Sequence, residues 1–416
     1  MVNPTANPLP ATHSASRTEV GLRLALVLLV ALNLRPFLTA IGPLASRIAG
    51  ETGLDYQGMA WLTLLPMVLM GIGAFLGTLL TQRIGARQAL LGALMVLGAG
   101  SALRALVPGG GAGSGSTLIL TAALCGAGVA VVQAAFPGEI KRHFPLHVPL
   151  VTGLYSAALM GGGALGAQLT PLLTEASGNW RQALAFWAAP VGLALVLALV
   201  TLPRERSRAG GTGPSLAMLR RPRTWLLMSG FGLVNGGYAS AVAWLAPYFQ
   251  AQGWSPATSG GLVALMAIAQ GVSALALPAL SGKRRDRRPW LGLALVAQAL
   301  GFAGLAFLPG LAPQLWVMIL GAGLGGCFAL MMIAALEHLP DPQEAGALSA
   351  LMQGGGFLLA SLPPWLLAVL HGASGSFALG WGVHVACVLV VLGLSTRLNP
   401  ERYAEAMGLP PSSSTT

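Results

Sequence analysis

Arg35 lies inside a long apolar stretch, Ala31-Leu-Asn-Leu-Arg-Pro-Phe-Leu-Thr-Ala-Ile-Gly-Pro43, with Pro36 directly after it. It stands about fifteen residues beyond the start of that stretch at Val20, too deep for its side chain to reach water easily. A guanidinium in such surroundings costs about 2.5–3.5 kcal/mol on insertion scales, so it should meet a compensating partner. None of the twelve acidic residues falls in the middle of an apolar run; Glu139, Glu175 and Glu337 come at run ends and the rest in polar segments. The chemistry expected of Arg35 is therefore recognition of an external anion or strong hydrogen-bond acceptor. The competing role is structural, with the guanidinium bonded to carbonyls that Pro36 and Pro43 leave free.

Uncharged polar residues scattered through other apolar runs could complete a site. Asn33, Gln133, Tyr155, Asn235, Tyr238 and Gln353 are expected to contact substrate together with Arg35, and Trp244 to supply an aromatic wall. Gln270 and Trp61 belong to the same inventory. Each of these residues, taken singly, serves as well in interhelical hydrogen bonding or packing. Two groups could carry a proton: His384, and Glu139 at the end of its run. With no buried carboxylate to receive it, a cationic substrate is disfavoured, while uniport and anion exchange stay open.

Other chemistries find no support. Six histidines are scattered, and Cys125, Cys327 and Cys387 all lie in apolar stretches without metal-ligand spacing. No catalytic residue, metal or cofactor is expected, and an enzyme is not expected.

The elements that must hold these residues follow from composition. Hydrophobic residues make up 55% of the 416 positions and charged residues 8%, with a mean hydropathy of +0.72. Soluble chains carry about 25% charged residues. Lipid admits only helices or closed barrels as spanning elements, and the apolar runs here are continuous rather than alternating. The expected fold is an all-α membrane protein of twelve transmembrane helices. The windows are 20–43, 57–80, 88–107, 117–137, 149–173 and 181–202, then 223–249, 258–280, 289–309, 314–336, 346–370 and 376–396. A disordered tail over 1–19, six-helix bundles over 20–202 and 223–396, a basic linker over 203–222 and a second tail over 397–416 complete the division. No cleaved signal peptide is expected ahead of Val20.

Orientation follows from lysine and arginine. With both termini inside, nineteen of the 23 fall on inner loops and tails; Arg47, Arg104 and Arg181 fall outside, and Arg35 within a span. By the positive-inside rule this makes a multi-pass plasma (inner) membrane protein with cytoplasmic termini. The net charge of +11 has the same origin, and the scatter of basic residues over separate loops argues against nucleic acid. The expected partners are lipid and a small-molecule substrate, with the chain a monomer.

The halves repeat. Gly153-Leu-Tyr-Ser-Ala-Ala-Leu-Met-Gly-Gly-Gly163 and Gly346-Ala-Leu-Ser-Ala-Leu-Met-Gln-Gly-Gly-Gly356 align, as do Gly126-Ala-Gly128 and Gly321-Ala-Gly323. Basic loops recur at Arg83 to Arg87 and at Lys283 to Arg288. Two six-helix halves in the same orientation form the parallel, pseudo-symmetric repeat of the major facilitator fold. The glycines are expected to let helix backbones approach closely.

The stretch Leu32-Asn-Leu-Arg-Pro36 with Gly42-Pro43 resembles the first-helix signature of the cyanate permease and 2-nitroimidazole transporter family. The resemblance continues in Pro137 ahead of Ile140-Lys141-Arg142 and Phe144-Pro145, in Trp180-Arg181 with Trp187, and in Trp244-Leu245-Ala-Pro247. Gln133 stands where that family often has Asn, and Gly236-Gly237 where a Gln-Ser pair is common. In the superfamily loop motif Gln82 replaces the usual Asp ahead of Arg83, Gly85 and Arg87, which are expected to gate or to set topology. The resemblance implies a carrier for small anions or small polar heterocycles working by alternating access. The alternatives are an efflux carrier for small neutral or amphipathic compounds and a membrane sensor without transport.

Overall fold

The computed structural model describes residues 17–111, 113–144, 147–202, 216–282, 284 and 286–408. The expected tails up to residue 16 and from 409, linker residues 203–215, and Lys283 and Arg285 of the second basic loop lie outside the described residues. Among the described residues the chain is helical throughout, with no strand.

Among the described residues twelve helices are long and apolar enough to cross a bilayer. The first six are Thr18–Thr52, Tyr56–Gly77, Ala86–Leu106, Ser114–Phe136, Leu150–Ser177 and Trp180–Thr201. The second six are Pro222–Gln250, Pro256–Ser281, Arg288–Phe307, Pro313–Glu337, Glu344–Ser374 and Ala378–Ser395. The spans follow the expected windows, except that the first runs on past a break to Thr52. An even number of crossings puts the start of the first span at Thr18 and the end of the last at Ser395 on one face, called the terminal face below.

The packing obeys a two-fold relation. The second span lies on the fourth, the third on the fourth and sixth, and the first on the fifth and sixth; the eighth, ninth and seventh spans repeat these contacts in the second half. The halves meet where the second span lies on the eleventh and the fifth on the eighth, a pair of contacts that the same two-fold exchanges.

Glycine makes these approaches possible. A Cβ on Gly162 would strike the Leu32 carbonyl, and one on Gly166 would come 2.7 Å from the Pro36 Cα, so the fifth span rides directly on the first. In the second half a Cβ on Gly356 would meet the Phe231 ring at 2.5 Å, so the eleventh span rides on the seventh. Gly354 instead faces the other half, where its Cβ would lie 2.6 Å from Phe75. Apolar side chains gain nothing by leaving lipid for protein, so such close backbone contact and its dispersion energy carry much of the association.

The first span is not one helix. Arg17–Asn33 ends, Leu34 and Arg35 form a turn, a single turn Pro36–Thr39 follows, and Gly42–Leu44 and Ala45–Thr52 complete the crossing. Pro36 has no N–H to give the preceding turn and its ring crowds that turn, so the helix breaks at Leu34 and Arg35 although Arg35 itself keeps a helical backbone, φ −117° and ψ −28°. The sixth span breaks at Phe186 and Trp187, and the eleventh at Ser361.

Candidate functional site

The break puts Arg35 at the start of the Pro36–Thr39 turn, with its side chain 3% exposed. Its guanidinium carbon stands 4.7 Å from the centroid of the Tyr238 ring, which the seventh span brings across from the other half. Its Nε and Nη1 are buried without a hydrogen-bond partner, and no ion pair reaches it among the described residues. A cation–π contact contributes about 0.5–2 kcal/mol. That falls short of the roughly 2.5–3.5 kcal/mol an arginine costs at this depth, so the site holds a cation with donor capacity to spare.

Tyr155 of the fifth span lies within electrostatic reach of Arg35 and stacks on Phe136 of the fourth, with centroids 5.6 Å apart and planes inclined by 24°. Gly163, about two turns further along the fifth span, faces the Arg35 Cβ at contact distance. Arg35, Tyr155 and Tyr238 are thus brought together from three spans and both halves. Gln133 and Gln353 are half-buried, and their amides make no hydrogen bond among the described residues.

The two asparagines have other commitments. Asn33 Nδ2 donates to Leu29 O at 2.7 Å and to Pro190 O at 3.2 Å, tying the first span to the sixth, while its Oδ1 is buried without a partner. Asn235 Nδ2 donates to Phe231 O at 2.8 Å. Both therefore bond the carbonyl four residues back in equivalent spans. Trp244 is 2% exposed, donates through Nε1 to Pro364 O at 2.8 Å, and packs among Tyr56 and Phe377 toward the face opposite the terminal one.

His384 is buried inside the second half, its ring stacked on Phe302 with centroids 4.9 Å apart. Glu139, on the terminal side of the fourth span, lies 3.3 Å from His143 Nδ1. Neither joins the Arg35 group. Arg83 is exposed, Gly85 turns the chain with φ of 88° between the second and third spans, and Arg87 Nη2 donates to Leu199 O at 3.1 Å. Arg87 thereby caps a carbonyl at the end of the sixth span.

Arg104, grouped by charge counting with the cations of the face opposite the termini, is buried in protein at that end of the third span, its side chain 0% exposed. Its Nη1 donates to Phe37 O at 3.0 Å, while Nε and Nη2 have no partner. In an unbroken helix Ile41 N–H would take the Phe37 carbonyl; here it bonds Leu38 O at 3.4 Å instead. The broken turn frees an acceptor and Arg104 occupies it. The signal was available, because position 104 lies three residues inside the apolar window that ends at 107.

The face opposite the termini is closed by polar contacts between halves. Gln250 Nε2 donates to Pro43 O at 2.7 Å, and its Oε1 accepts from Ser46 Oγ at 3.1 Å. Tyr56 of the second span meets His371 of the eleventh edge-on at 4.4 Å. Beside this closure Arg181 bonds Val107 O and Pro108 O, pairs with Glu51 at 2.6 Å and covers the Trp180 ring.

Comparison with known proteins agrees with this architecture. The chain is 41% identical to the cyanate transport protein CynX of Escherichia coli over 383 residues, covering 92% of this chain and 98% of that protein. It is 29% identical to the 2-nitroimidazole transporter of the same organism, covering 88% and 92%. Among solved structures it superposes on a D-xylose–proton symporter with a TM-score of 0.78 at 15% identity, covering 96% of this chain and all of that one. The model of the Major Facilitator Superfamily matches residues 24–364. The fold and the relatives are those of transporters, and the chain is a multi-pass membrane protein belonging to the major facilitator superfamily.

Proposed function

We propose that the chain is a secondary transporter that moves a small anion or a small acceptor-rich solute of cyanate or nitroimidazole type by alternating access. The observation that carries this reading is Arg35: a buried guanidinium with two unpaired N–H positions, held against a tyrosine of the opposite half. A substrate anion would supply the charge that the protein withholds, through charge-assisted hydrogen bonds from a planar donor. Contact with both halves would let the substrate's presence bias their arrangement. The 41% identity to a cyanate transport protein supports the anion. A flat heterocycle with acceptor groups is the second reading, favoured by the Phe136–Tyr155 stack beside the cation. Cytoplasmic termini complete the proposal, on the strength of the lysine and arginine asymmetry.

Uptake into proteoliposomes tests it, with cyanate, nitrate, small carboxylates and a nitroimidazole as substrates and competitors. Small anions should be taken up or compete, and Arg35→Ala should abolish this while the protein stays folded. Wild-type transport by Arg35→Ala would refute the site. The same assay with and without a pH gradient, on His384→Gln and Glu139→Gln, decides whether either group couples a proton.

A further inference from the structure

A second basic site lies on the terminal face, away from Arg35. A cavity of about 470 Å³ opens there, lined by Arg223, Arg288, Thr396, Arg397, Asn399 and Arg402. Arg223 and Arg288 belong to the first turns of the helices Pro222–Gln250 and Arg288–Phe307, so two positive helix ends meet at the cavity. The third wall is the chain that leaves the helix Ala378–Ser395.

Two of the four guanidiniums already have structural duties. Arg223 Nη1 donates to Arg397 O at 2.7 Å and Arg288 Nη1 to Thr396 O at 3.4 Å, both at the end of the twelfth span. The second contact repeats in the other half as Arg87 on Leu199 O, so it belongs to the fold's two-fold plan. Arg288 also pairs with Asp286 at 2.8 Å, and these bonds hold the Asp286 carboxyl below the usual carboxylate range. The Arg397 and Arg402 guanidiniums, by contrast, make no hydrogen bond or ion pair among the described residues, and both residues are exposed. Arg402 stands close enough to Arg223 for their charges to repel. Against four cations stand Asp286, already bound to Arg288, and Glu401, which accepts from Asn399 Nδ2 at 3.4 Å. Charge that only sets topology can lie on any loop; it does not require a shared cavity with unspent donors.

We propose that this cavity binds a phosphate group, carried by an anionic phospholipid headgroup or present as the free ion. Forked guanidiniums are the donors that phosphate oxygens match, and the Arg397 and Arg402 forks are unspent. The cavity lies where three spans end, at the depth of lipid headgroups, and an occupant would bridge the ends of the seventh, ninth and twelfth spans. The inference does not depend on the role of Arg35.

The experiment uses the full chain purified in neutral detergent. Native mass spectrometry would titrate it with phosphatidylglycerol against phosphatidylcholine, and thermal unfolding would compare inorganic phosphate with chloride at equal ionic strength. The probe variant is Arg397→Gln/Arg402→Gln, because neither side chain holds another part of the fold. A basic residue at an anionic lipid surface contributes about a fivefold factor, so the double variant should lose roughly 25-fold in affinity. Preference for phosphatidylglycerol that falls in the variant identifies a lipid headgroup. Stabilisation by inorganic phosphate that falls in the variant identifies the free ion. Arg397→Lys/Arg402→Lys, which keeps the charge, should retain most of whichever binding is seen. If wild type shows neither effect, or if binding is the same in the glutamine variant, the proposal is wrong.

Discussion

Arg35 and Tyr238 meet across the interface between the halves, guanidinium over ring at 4.7 Å, and neither has a closer charged partner among the described residues. The ring presents a π-face to the cation without using up its N–H donors, so the arginine is oriented but not satisfied. If the π-face is what matters, Tyr238→Phe should transport nearly as wild type. Tyr238→Leu should raise KM by roughly 2–30-fold, the equivalent of about 0.5–2 kcal/mol of cation–π energy. Equal damage from both substitutions would move the interaction from the ring to the hydroxyl.

Arg35→Lys tests the fork rather than the charge. A lysine keeps the cation but gives a compact ammonium in place of a planar, bidentate donor. Loss of a hydrogen bond to a charged partner costs about 1.5–3 kcal/mol, so substrate affinity should fall by roughly 10–150-fold. The fall should show in uptake KM and in substrate-induced thermal stabilisation alike.

Arg104 should separate stability from transport. Removing it leaves the Phe37 carbonyl without a donor, which costs about 1–3 kcal/mol. Removing it also relieves the burial of a cation with two unpaired N–H positions, worth about 2.5–3.5 kcal/mol on insertion scales. The terms nearly cancel, so Arg104→Met should unfold within a few degrees of wild type. The turn that carries Arg35 would lose its brace, and transport should fall. Hydrogen exchange at residues 37–41 should rise selectively; a large drop in unfolding temperature with no local change would contradict this balance.

The twelve spans and their pairing into halves could be read from apolar length and from the glycine blocks, because both are local properties of the chain. The break in the first span was implied by Pro36, yet its consequence was not. Only once the helix breaks does Phe37 O become a free acceptor, and the residue that takes it lies 67 positions away. Asn33 shows the same limit. Its depth marked it as a substrate contact, while the Pro190 carbonyl that takes one of its donors is 157 residues distant. Arg35 was legible for the opposite reason: a buried cation announces its need whatever surrounds it. The arginine cavity on the terminal face was hidden inside a charge count that treats all loop cations alike.

Gln250 should control the closed face. Its amide makes two cross-half hydrogen bonds, to Pro43 O and from Ser46 Oγ, and both must part if that face opens. At about 0.5–1.5 kcal/mol each, their loss shifts the balance toward opening by roughly 5–150-fold. Spin labels on Ser177→Cys and Gln252→Cys, exposed at that face in opposite halves, would report the separation. Gln250→Ala should populate a longer distance. An unchanged distribution would assign the closure to the aromatic group around Tyr56.

His338 makes the stability depend on pH. It follows the tenth span directly, accepts burial to 2% exposure, lies 2.6 Å from Ala334 O through Nδ1, and stacks on Tyr403 with centroids 3.7 Å apart. Burial pushes its pKa down from 6.5 to about 4, with the Arg223 charge acting in the same direction. The Tyr403 phenol beneath it is pushed up to about 12, chiefly by burial. Asp286, Glu337 and Arg288 also act on that phenol, and Nε2 of His338 has no partner to receive a second N–H. Between pH 6.5 and 4 the unfolded chain therefore binds a proton that the folded chain refuses, so stability falls as pH falls through that window. The loss amounts to at most about 3 kcal/mol and is complete near pH 4. His338→Phe keeps the stack on Tyr403 without a titrating nitrogen. Unfolding temperatures measured from pH 7.5 to 4.5 should decline less steeply for this variant than for wild type. Parallel curves would mean that another group sets the acid limit.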